Sequence, residues 1–301
     1  MSSILTNTAA MTALKSLTMT AQQMQITQGR ISTGMRVASA SDNAAYWSIA
    51  TTMRSDVSAL SGVKDALGLG SSTIDVASAG TSSALAVTQS IKDKLVAALQ
   101  PGVDRTKVQA EIKQLQGQLK SIADSSSFSG QNWLSVDSSA AGYNPTRSVV
   151  ASFTRSGSSV SVGTIDVNVT GTKLFDATGQ TGILDKVTGT VSVSTLDISA
   201  LTDSAADLST LKVMISQVDT AVSAMTTSAS DLGAAKSRIT TQKDFLTSLT
   251  SALQSGIGTL VDADMTEEST KLQALQVQQQ LGTQALSIAN QSSQSILSLF
   301  R

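Results

Sequence analysis

A heptad repeat of apolar residues runs through residues 202–253. Steps of three and four put these residues on one stripe of an α-helix, which is typical of an antiparallel bundle or coiled coil. Weaker repeats in residues 43–99 and 108–122 predict two partner helices. A Pro-Gly turn separates them, and Asp104 is placed to cap the second. We predict a helical rod whose heptad core contains Leu211, Ile215, Val218, Val222, Met225, Leu232, Ile239 and Leu246.

Each end of the chain carries a shorter heptad stripe on a segment with almost no charge. Lys15 is the only ionisable side chain in residues 1–29, and residues 272–300 contain none. A solvated helix face normally carries charge, whereas a face of Gln, Ser, Thr and Asn can pack against a copy of itself at little desolvation cost. The pattern favours burial between identical subunits; the alternative is two ordinary terminal helices that cover a core. The predicted polymerisation core consists of Leu14, Leu17, Ala21, Met24, Ile31, Leu272, Leu275, Leu286, Ala289, Ile296 and Phe300.

The periodicity changes to two between residues 131 and 201, which predicts a β-rich insert. β-branched and polar residues alternate in four segments, residues 148–154, 159–162, 164–170 and 188–196. The predicted fold class is therefore mainly α, a long antiparallel, coiled-coil-like helical rod with both termini at one end and the small β-rich insert at the other. The predicted domains are terminal helices at 1–42 with 256–301, a helical rod at 43–130 with 202–255, and an outer domain at 131–201.

The amino-acid composition excludes most kinds of catalytic site. Among 301 residues there is no His and no Cys, which excludes Ser-His-Asp and Cys-His nucleophiles, imidazole or thiolate zinc sites, haem ligation and disulfides. A formal net charge of −1 gives no broad attraction to nucleic acid or to an anionic membrane. No apolar run is long enough to span a bilayer, and the first residues lack the basic and apolar regions of a cleaved secretory signal.

One acidic cluster, near residue 265, could recruit a cation. Its order lacks the glycine and the terminal glutamate of a calcium loop, so we interpret it as the first turn of a helix, where acids meet the positive end of the helix dipole. We assign no catalytic, cofactor or metal residue. The cluster consists of Asp262, Asp264, Glu267 and Glu268.

Long motifs on both sides of the chain carry a family resemblance. The amino side contains RISTGMRVASASDNAA at residues 30–45. The carboxyl side contains VDADM at 261–265 and KLQALQVQQQL at 271–281, followed by ANQ at 289–291 and ILSLFR at 296–301. With these motifs the sequence resembles bacterial flagellin over nearly the whole chain outside the β-rich insert.

The resemblance implies a structural subunit, not an enzyme, that polymerises into the flagellar filament used for swimming. Terminal helices would stack in the core of a hollow helical tube, with rod domains around them and the insert outside. It also implies export through the flagellar channel to the cell exterior, which agrees with the missing signal sequence. The implied partners are other copies, sister flagellins, the export apparatus and its chaperone, and the filament-cap and hook-junction proteins. The alternative is a hook–filament junction protein or another axial protein of the flagellum.

The resemblance further implies a patch that animal flagellin receptors engage through arginine. The matching stretch, residues 90–98, has no arginine, and lysine cannot reproduce a bidentate arginine contact. We therefore expect weak recognition at the candidate residues Lys92, Asp93, Lys94 and Leu95. A rare aromatic pair, Tyr46 and Trp47, is open to two interpretations: an anchor for a neighbouring subunit, or packing in the core of the rod.

Overall fold

The computed structural model describes residues 6–157, 159–187 and 191–299, with side chains described through Gln291. It contains the helices α1 Thr8–Thr33, α2 Ala44–Ala97, α3 Arg105–Ser125, α4 Ala205–Val261 and α5 Met265–Leu299. Its strands are β1 Ser127–Phe128, β2 Gln131–Asn132, β3 Ser135–Val136, β4 Thr146–Ser156, β5 Ser159–Asn168 and β6 Phe175–Asp176. The mainly helical class with a β-containing insert is confirmed.

Side chains cap the helices where the sequence signals indicate. Asp104 accepts hydrogen bonds from the backbone N–H groups of Thr106 and Lys107, as predicted for the start of α3. Asp264 accepts from the N–H groups of Thr266 at 2.8 Å and Glu267 at 3.2 Å, so the acidic cluster does begin a helix. These bonds satisfy N–H groups that have no partner within the helix.

The chain forms two compact units. Unit 1 comprises residues 1–57 and 251–301, and unit 2 comprises residues 58–250. In unit 1, α1 packs along α5 in the antiparallel sense. The Asn7 amide donates to the Ala289 carbonyl at 2.9 Å near one end of the pair, and Arg30 pairs with Glu268 at 2.9 Å near the other.

The segment after α1 is fixed to the end of α4 within unit 1. Gly34 ends α1 with φ of 69°, a left-handed conformation that glycine adopts without strain. Beyond it, the Arg36 N–H donates to the Val261 carbonyl at 2.7 Å, and the Ala263 N–H donates to the Gly34 carbonyl at 2.9 Å. A small apolar cluster closes this region, formed by Val37, Ala50, Ile257 and Val261.

In unit 2, α2 and α4 are antiparallel neighbours. Asp75 pairs with Lys236 and Lys92 pairs with Asp219, both at 2.5 Å, so residue numbers rise along one helix as they fall along the other. Helix α3 is antiparallel to α2, since Lys94 pairs with Glu111 and Gly80 lies beside Ser126, just after the end of α3. The structure buries most of the predicted rod heptad core: Leu211, Val218, Met225, Leu232, Ile239 and Leu246 are at most 1% exposed, and Ile215 and Val222 are half-buried.

The insert is built of short strand pairs around one long hairpin. Strands β4 and β5 are antiparallel, with an irregularity between Val150 and Ser152. Strand β5 joins the two segments predicted at 159–162 and 164–170 into one. The predicted strand at 188–196 is wrong at Val193–Thr195, which form a 3₁₀ helix; there the capping bonds of Ser192 and Thr195 replace strand pairing. Residues 188–190 lie outside the described residues.

A buried charge network holds the later part of the insert. The Asp176 carboxylate accepts hydrogen bonds from the Ser138 N–H at 2.9 Å, the Ser138 hydroxyl at 2.6 Å and the Lys173 ammonium at 2.9 Å. Burial alone would raise the pKa of Asp176, but hydrogen bonds from Ser138, Thr181 and Lys173 outweigh it and hold this pKa well below 3.8.

The insert does not lie beyond the far ends of the helices, which corrects its expected position. Strand β4 packs beside Gly70, where a Cβ atom would lie 2.5 Å from a Val149 methyl, and the Gln242 amide donates to the Ala151 carbonyl at 2.9 Å. Gly70 lies 27 residues before Ala97, the end of α2, which is roughly 40 Å along the helix. The hairpin therefore packs against α2 and α4, and the absence of a side chain at Gly70 leaves room for Val149.

The far end of these helices is the turn between α2 and α3. Arg105 donates there to the Ala98 carbonyl at 3.1 Å and pairs with Asp203 at 2.6 Å.

None of the helices in the described part of the chain combines the length and the apolar character that a bilayer-spanning segment requires.

Candidate assembly surface

The inner face of the α1–α5 pair contains most of the predicted polymerisation core. Leu275 is 8% exposed, and a Cβ atom on Gly282 would lie 3.0 Å from a methyl of Leu17. These side chains pack between the two helices of one subunit. The half-buried members are Leu17, Met24, Ile31, Leu272, Leu286 and Ala289.

Other members of the predicted core face outward or lie beyond the described side chains. Leu14 is 54% exposed, and Ala21 is also exposed. The side chain of Ile296 and the whole of Phe300 lie outside what the structure describes. The members with described side chains therefore divide into residues that join α1 to α5 and residues that are exposed on the isolated subunit.

A second apolar stripe lies on the outside of the pair, and of its members the sequence analysis named only Leu14. On α5 it consists of Val277, Leu281 and Ile288, which are 55%, 59% and 66% exposed. Their spacing of four and seven residues puts them on one face of the helix, and that spacing was the available signal. We call this set, with the exposed apolar residues of α1, the outer stripe; its α1 members are Met11, Leu14, Met19 and Ile26.

The outer stripe lies in polar but uncharged surroundings. Lys15 is the one charged residue of α1 before Arg30, and α5 has none after Lys271. A groove of about 340 Å³ opens between the helices, lined in part by Ser16, Met19 and Gln278. Exposed apolar side chains grouped in this way are typical of interaction sites. Few charges would have to be desolvated when it is covered.

The remaining sequence candidates have other environments. Among the described residues no group of three or more acidic side chains is placed to hold a metal ion. Tyr46 and Trp47 are 40% and 37% exposed, so core packing is not their role in the isolated subunit. An apolar neighbour, Ile49, is 49% exposed.

The candidate receptor region is only partly accessible. Leu95 is fully buried and cannot contact a receptor while the subunit is folded. Lys92 and Lys94 already pair with Asp219 and Glu111, and Asp93 is exposed. The structure therefore narrows the candidate region to Lys92, Asp93 and Lys94.

Comparison with known proteins places these features in a family. Residues 4–138 match the family model of the bacterial flagellin N-terminal helical region, and residues 215–300 match that of the C-terminal helical region. The chain belongs to the bacterial flagellin family. Flagellin A of Rhizobium meliloti (strain 1021) is 43% identical, with all of both chains covered. Flagellin C of the same strain is 47% identical, and a flagellin of Brucella melitensis biotype 1 is 45% identical, each again with all of both chains covered.

Membership fixes the coarse function. The chain is a structural subunit that self-polymerises into the flagellar filament, the extracellular part of the flagellum, and it is not an enzyme. The hook–filament junction alternative is not favoured, because these full-length relatives are named as flagellins. The paired terminal helices are therefore the main candidate surface for contacts between flagellin subunits.

Proposed function

We propose that flagellin subunits polymerise through the outer stripe of the α1–α5 pair. The observation that carries this proposal is the outer stripe itself: seven large apolar side chains, each at least 50% exposed, on two helices almost free of charge. A monomer would leave this surface in water, whereas a helical polymer covers it by repeating one contact at every subunit.

In this proposal the predicted polymerisation core has two tasks. Leu17, Met24, Leu275 and their neighbours hold α1 against α5 and form the pair. Leu14 and the rest of the outer stripe contact adjacent subunits. Residues 1–42 with 256–301 line the filament core, residues 43–130 with 202–255 surround it, and residues 131–201 face outward.

A charge in the outer stripe tests the assignment. Ile288→Asp puts a carboxylate on the most exposed apolar residue of the stripe, and a buried unpaired charge repeated at every subunit should abolish elongation. Because Asn has nearly the same shape as Asp but no charge, Ile288→Asn should weaken filament elongation without abolishing it. Electron micrographs of seeded growth measure filament length, and circular dichroism checks that the monomer stays helical. Filaments of normal length from Ile288→Asp would refute the proposal.

Further partners follow from the same surface. Terminal helices that expose the outer stripe need shielding from water before assembly. This need supports binding of a chaperone and delivery to the flagellar export apparatus for secretion. Filament-cap and hook-junction proteins would meet the same helices at the two ends of the polymer, and sister flagellins would enter it alongside this chain. Deletion of residues 272–301 should remove chaperone binding in co-purification; retained binding would place the chaperone site elsewhere.

A further inference from the structure

A cavity of about 640 Å³ lies within unit 2, between α2 and the insert. Helix α2 forms one wall, and the segment around β1 and β2 and the start of β4 form the others. Cavities of roughly 300–1,000 Å³ are the size that encloses small-molecule ligands. None of the described lining residues belongs to the outer stripe, so the proposed assembly contact does not account for this cavity.

Arg147 is the only charged residue among the described residues that line the cavity. It is half-buried and lies two positions before Val149 on β4, so the two side chains share one face of the strand. Val149 packs on Gly70 of α2. Arg147 therefore lies on the face of the hairpin that is turned toward α2.

The guanidinium of Arg147 has no counter-charge in the described part of the subunit. Its Nε atom is buried and has no hydrogen-bond partner among the described residues. The Tyr143 ring, 5.9 Å from the guanidinium carbon, offsets part of the cost of burying the charge. Lys173 lies at the same distance from that ring, but its ammonium contacts the Asp176 carboxylate at 2.9 Å. Of these two cations, Arg147 is the one that lacks an acidic partner, which favours an anion in the cavity.

The rest of the wall suits a ring that carries polar groups. Phe128 is half-buried and Leu69 is 60% exposed, and both supply apolar surface. Gln131 and Asn144 are exposed at the same wall, and their side-chain amides can bond to hydroxyl groups. The Asn144 oxygen already accepts from the Thr146 N–H at 2.9 Å, which leaves its NH₂ group to donate to a ligand.

We propose that this cavity binds a small carboxylate carried on a ring, and that Arg147 is the residue that binds its charge. A guanidinium presents parallel N–H donors that match the two oxygens of a carboxylate, and such pairs are stronger than neutral hydrogen bonds. The ring lies against Phe128 and Leu69, and its polar groups meet Gln131 and Asn144. An aromatic acid and a uronic-acid sugar share this chemistry.

Ligand-observed NMR titration of the full-length monomer tests the proposal with two probes, sodium benzoate and sodium glucuronate. Benzamide and glucose are the control ligands, because each keeps the ring of its counterpart without the charge. At least one carboxylate should bind at one site per subunit, about tenfold or more tightly than its neutral counterpart. Tighter binding of benzoate assigns the cavity to aromatic acids, and tighter binding of glucuronate assigns it to acidic sugars. No preference for either carboxylate over its neutral counterpart would overturn the proposal.

Variants of the arginine locate the site. Arg147→Gln should weaken carboxylate binding about tenfold or more, and Arg147→Lys should weaken it severalfold, because lysine keeps the charge but not the paired donors. The matched control is Arg155→Gln, on the same strand but outside the described cavity wall, for which the affinity should stay within about twofold of wild type. Circular dichroism checks the fold of each variant, and Arg147→Lys decides the question if Arg147→Gln does not fold. Wild-type affinity in the folded variant would overturn the proposal.

The competing occupant is an acidic side chain of another subunit, and filament growth distinguishes it from a small molecule. If the cavity serves a small carboxylate, Arg147→Gln should leave the critical concentration for assembly within about twofold of wild type. A rise of about tenfold or more, together with a wild-type monomer that binds neither probe, would assign Arg147 to a contact between subunits and overturn the proposal.

Discussion

Leu281→Ala offers a graded test of the assembly surface. Leu281 is 59% exposed in the subunit, and full burial of a leucine side chain is worth about 1.5–3 kcal/mol. If the neighbouring subunit covers the exposed fraction, the leucine contributes about 1–2 kcal/mol to each added subunit. Because about 1.4 kcal/mol corresponds to a tenfold change in an equilibrium constant, the critical concentration should rise roughly five- to thirtyfold.

The monomer should be almost unaffected, because the removed carbons touch mainly solvent. Its free energy of unfolding should change by about 0.5 kcal/mol or less. The assay is sedimentation of filaments grown from wild-type seeds over a range of subunit concentrations, with urea unfolding of the monomer alongside. The matched control is Gln280→Ala, the adjacent exposed residue of the same helix, for which the critical concentration should stay within about twofold of wild type.

Two results would refute the reasoning. One is a critical concentration for Leu281→Ala equal to that of Gln280→Ala, which would mean that no subunit covers Leu281. The other is a loss of monomer stability that accounts for the whole assembly defect, which would assign the leucine to the subunit's own packing.

Three further predictions concern other parts of the chain. Gly70→Ala should lower the melting temperature relative to Gly68→Ala. A Cβ atom at residue 70 would lie 2.5 Å from a Val149 methyl, whereas a Cβ atom at residue 68 would have no atom within 4 Å, and overpacking costs about 1–3 kcal/mol. Equal melting temperatures by circular dichroism would contradict the close packing of the hairpin. Since the pKa of Asp176 is held below its ordinary value of 3.8, its carboxylate stabilises the fold above that pH, and this contribution is lost as pH falls toward the lowered pKa. Asp176→Asn should therefore show a smaller drop in unfolding free energy between about pH 6 and about pH 3 than wild type, and an unchanged drop in urea titrations would argue against it. Finally, because Leu95 is buried and Lys92 and Lys94 are ion-paired, the subunit should activate animal flagellin receptors more weakly than an arginine-bearing flagellin at equal concentration in a reporter assay, and equal potency would contradict this.

Local patterns in the sequence predict the helices well. The heptads of residues 202–253 locate a helix that the structure extends over Ala205–Val261, and Asp104 and Asp264 mark helix starts because their carboxylates bond to free N–H groups. These signals depend on residues close together in the chain, so they survive whatever the helices pack against.

The assignment of faces was harder to predict. One heptad stripe on α5 indicates a buried face but does not say whether the partner is α1 of the same chain or another subunit. The structure places Leu275 against α1 and leaves Leu281 exposed. Apolar side chains of the same kind are buried within a subunit and between subunits. The sequence therefore does not distinguish the two kinds of burial, whereas the folded structure does.

Long-range packing was the other gap. Gly70 has the same residue type and similar neighbours as Gly68, yet only Gly70 touches the hairpin. The prediction of a strand at 188–196 was wrong at Val193–Thr195 because alternation of β-branched and polar residues does not reveal local capping. There the side chains of Ser192 and Thr195 cap a 3₁₀ helix.

If the insert faces outward in the filament as proposed, the β4–β5 hairpin makes this flagellin a scaffold for repetitive peptide display. Its two strands are paired from Thr146 with Asn168 to Ser156 with Ser159, with one irregularity between Val150 and Ser152, so their mutual alignment does not depend on a short connecting turn. Gly157, at that turn, is exposed with φ of 62°. Lengthening a loop costs only about 0.6 kcal/mol per doubling. A foreign epitope spliced beside Gly157 would thus be carried once per subunit, at the spacing set by the polymer.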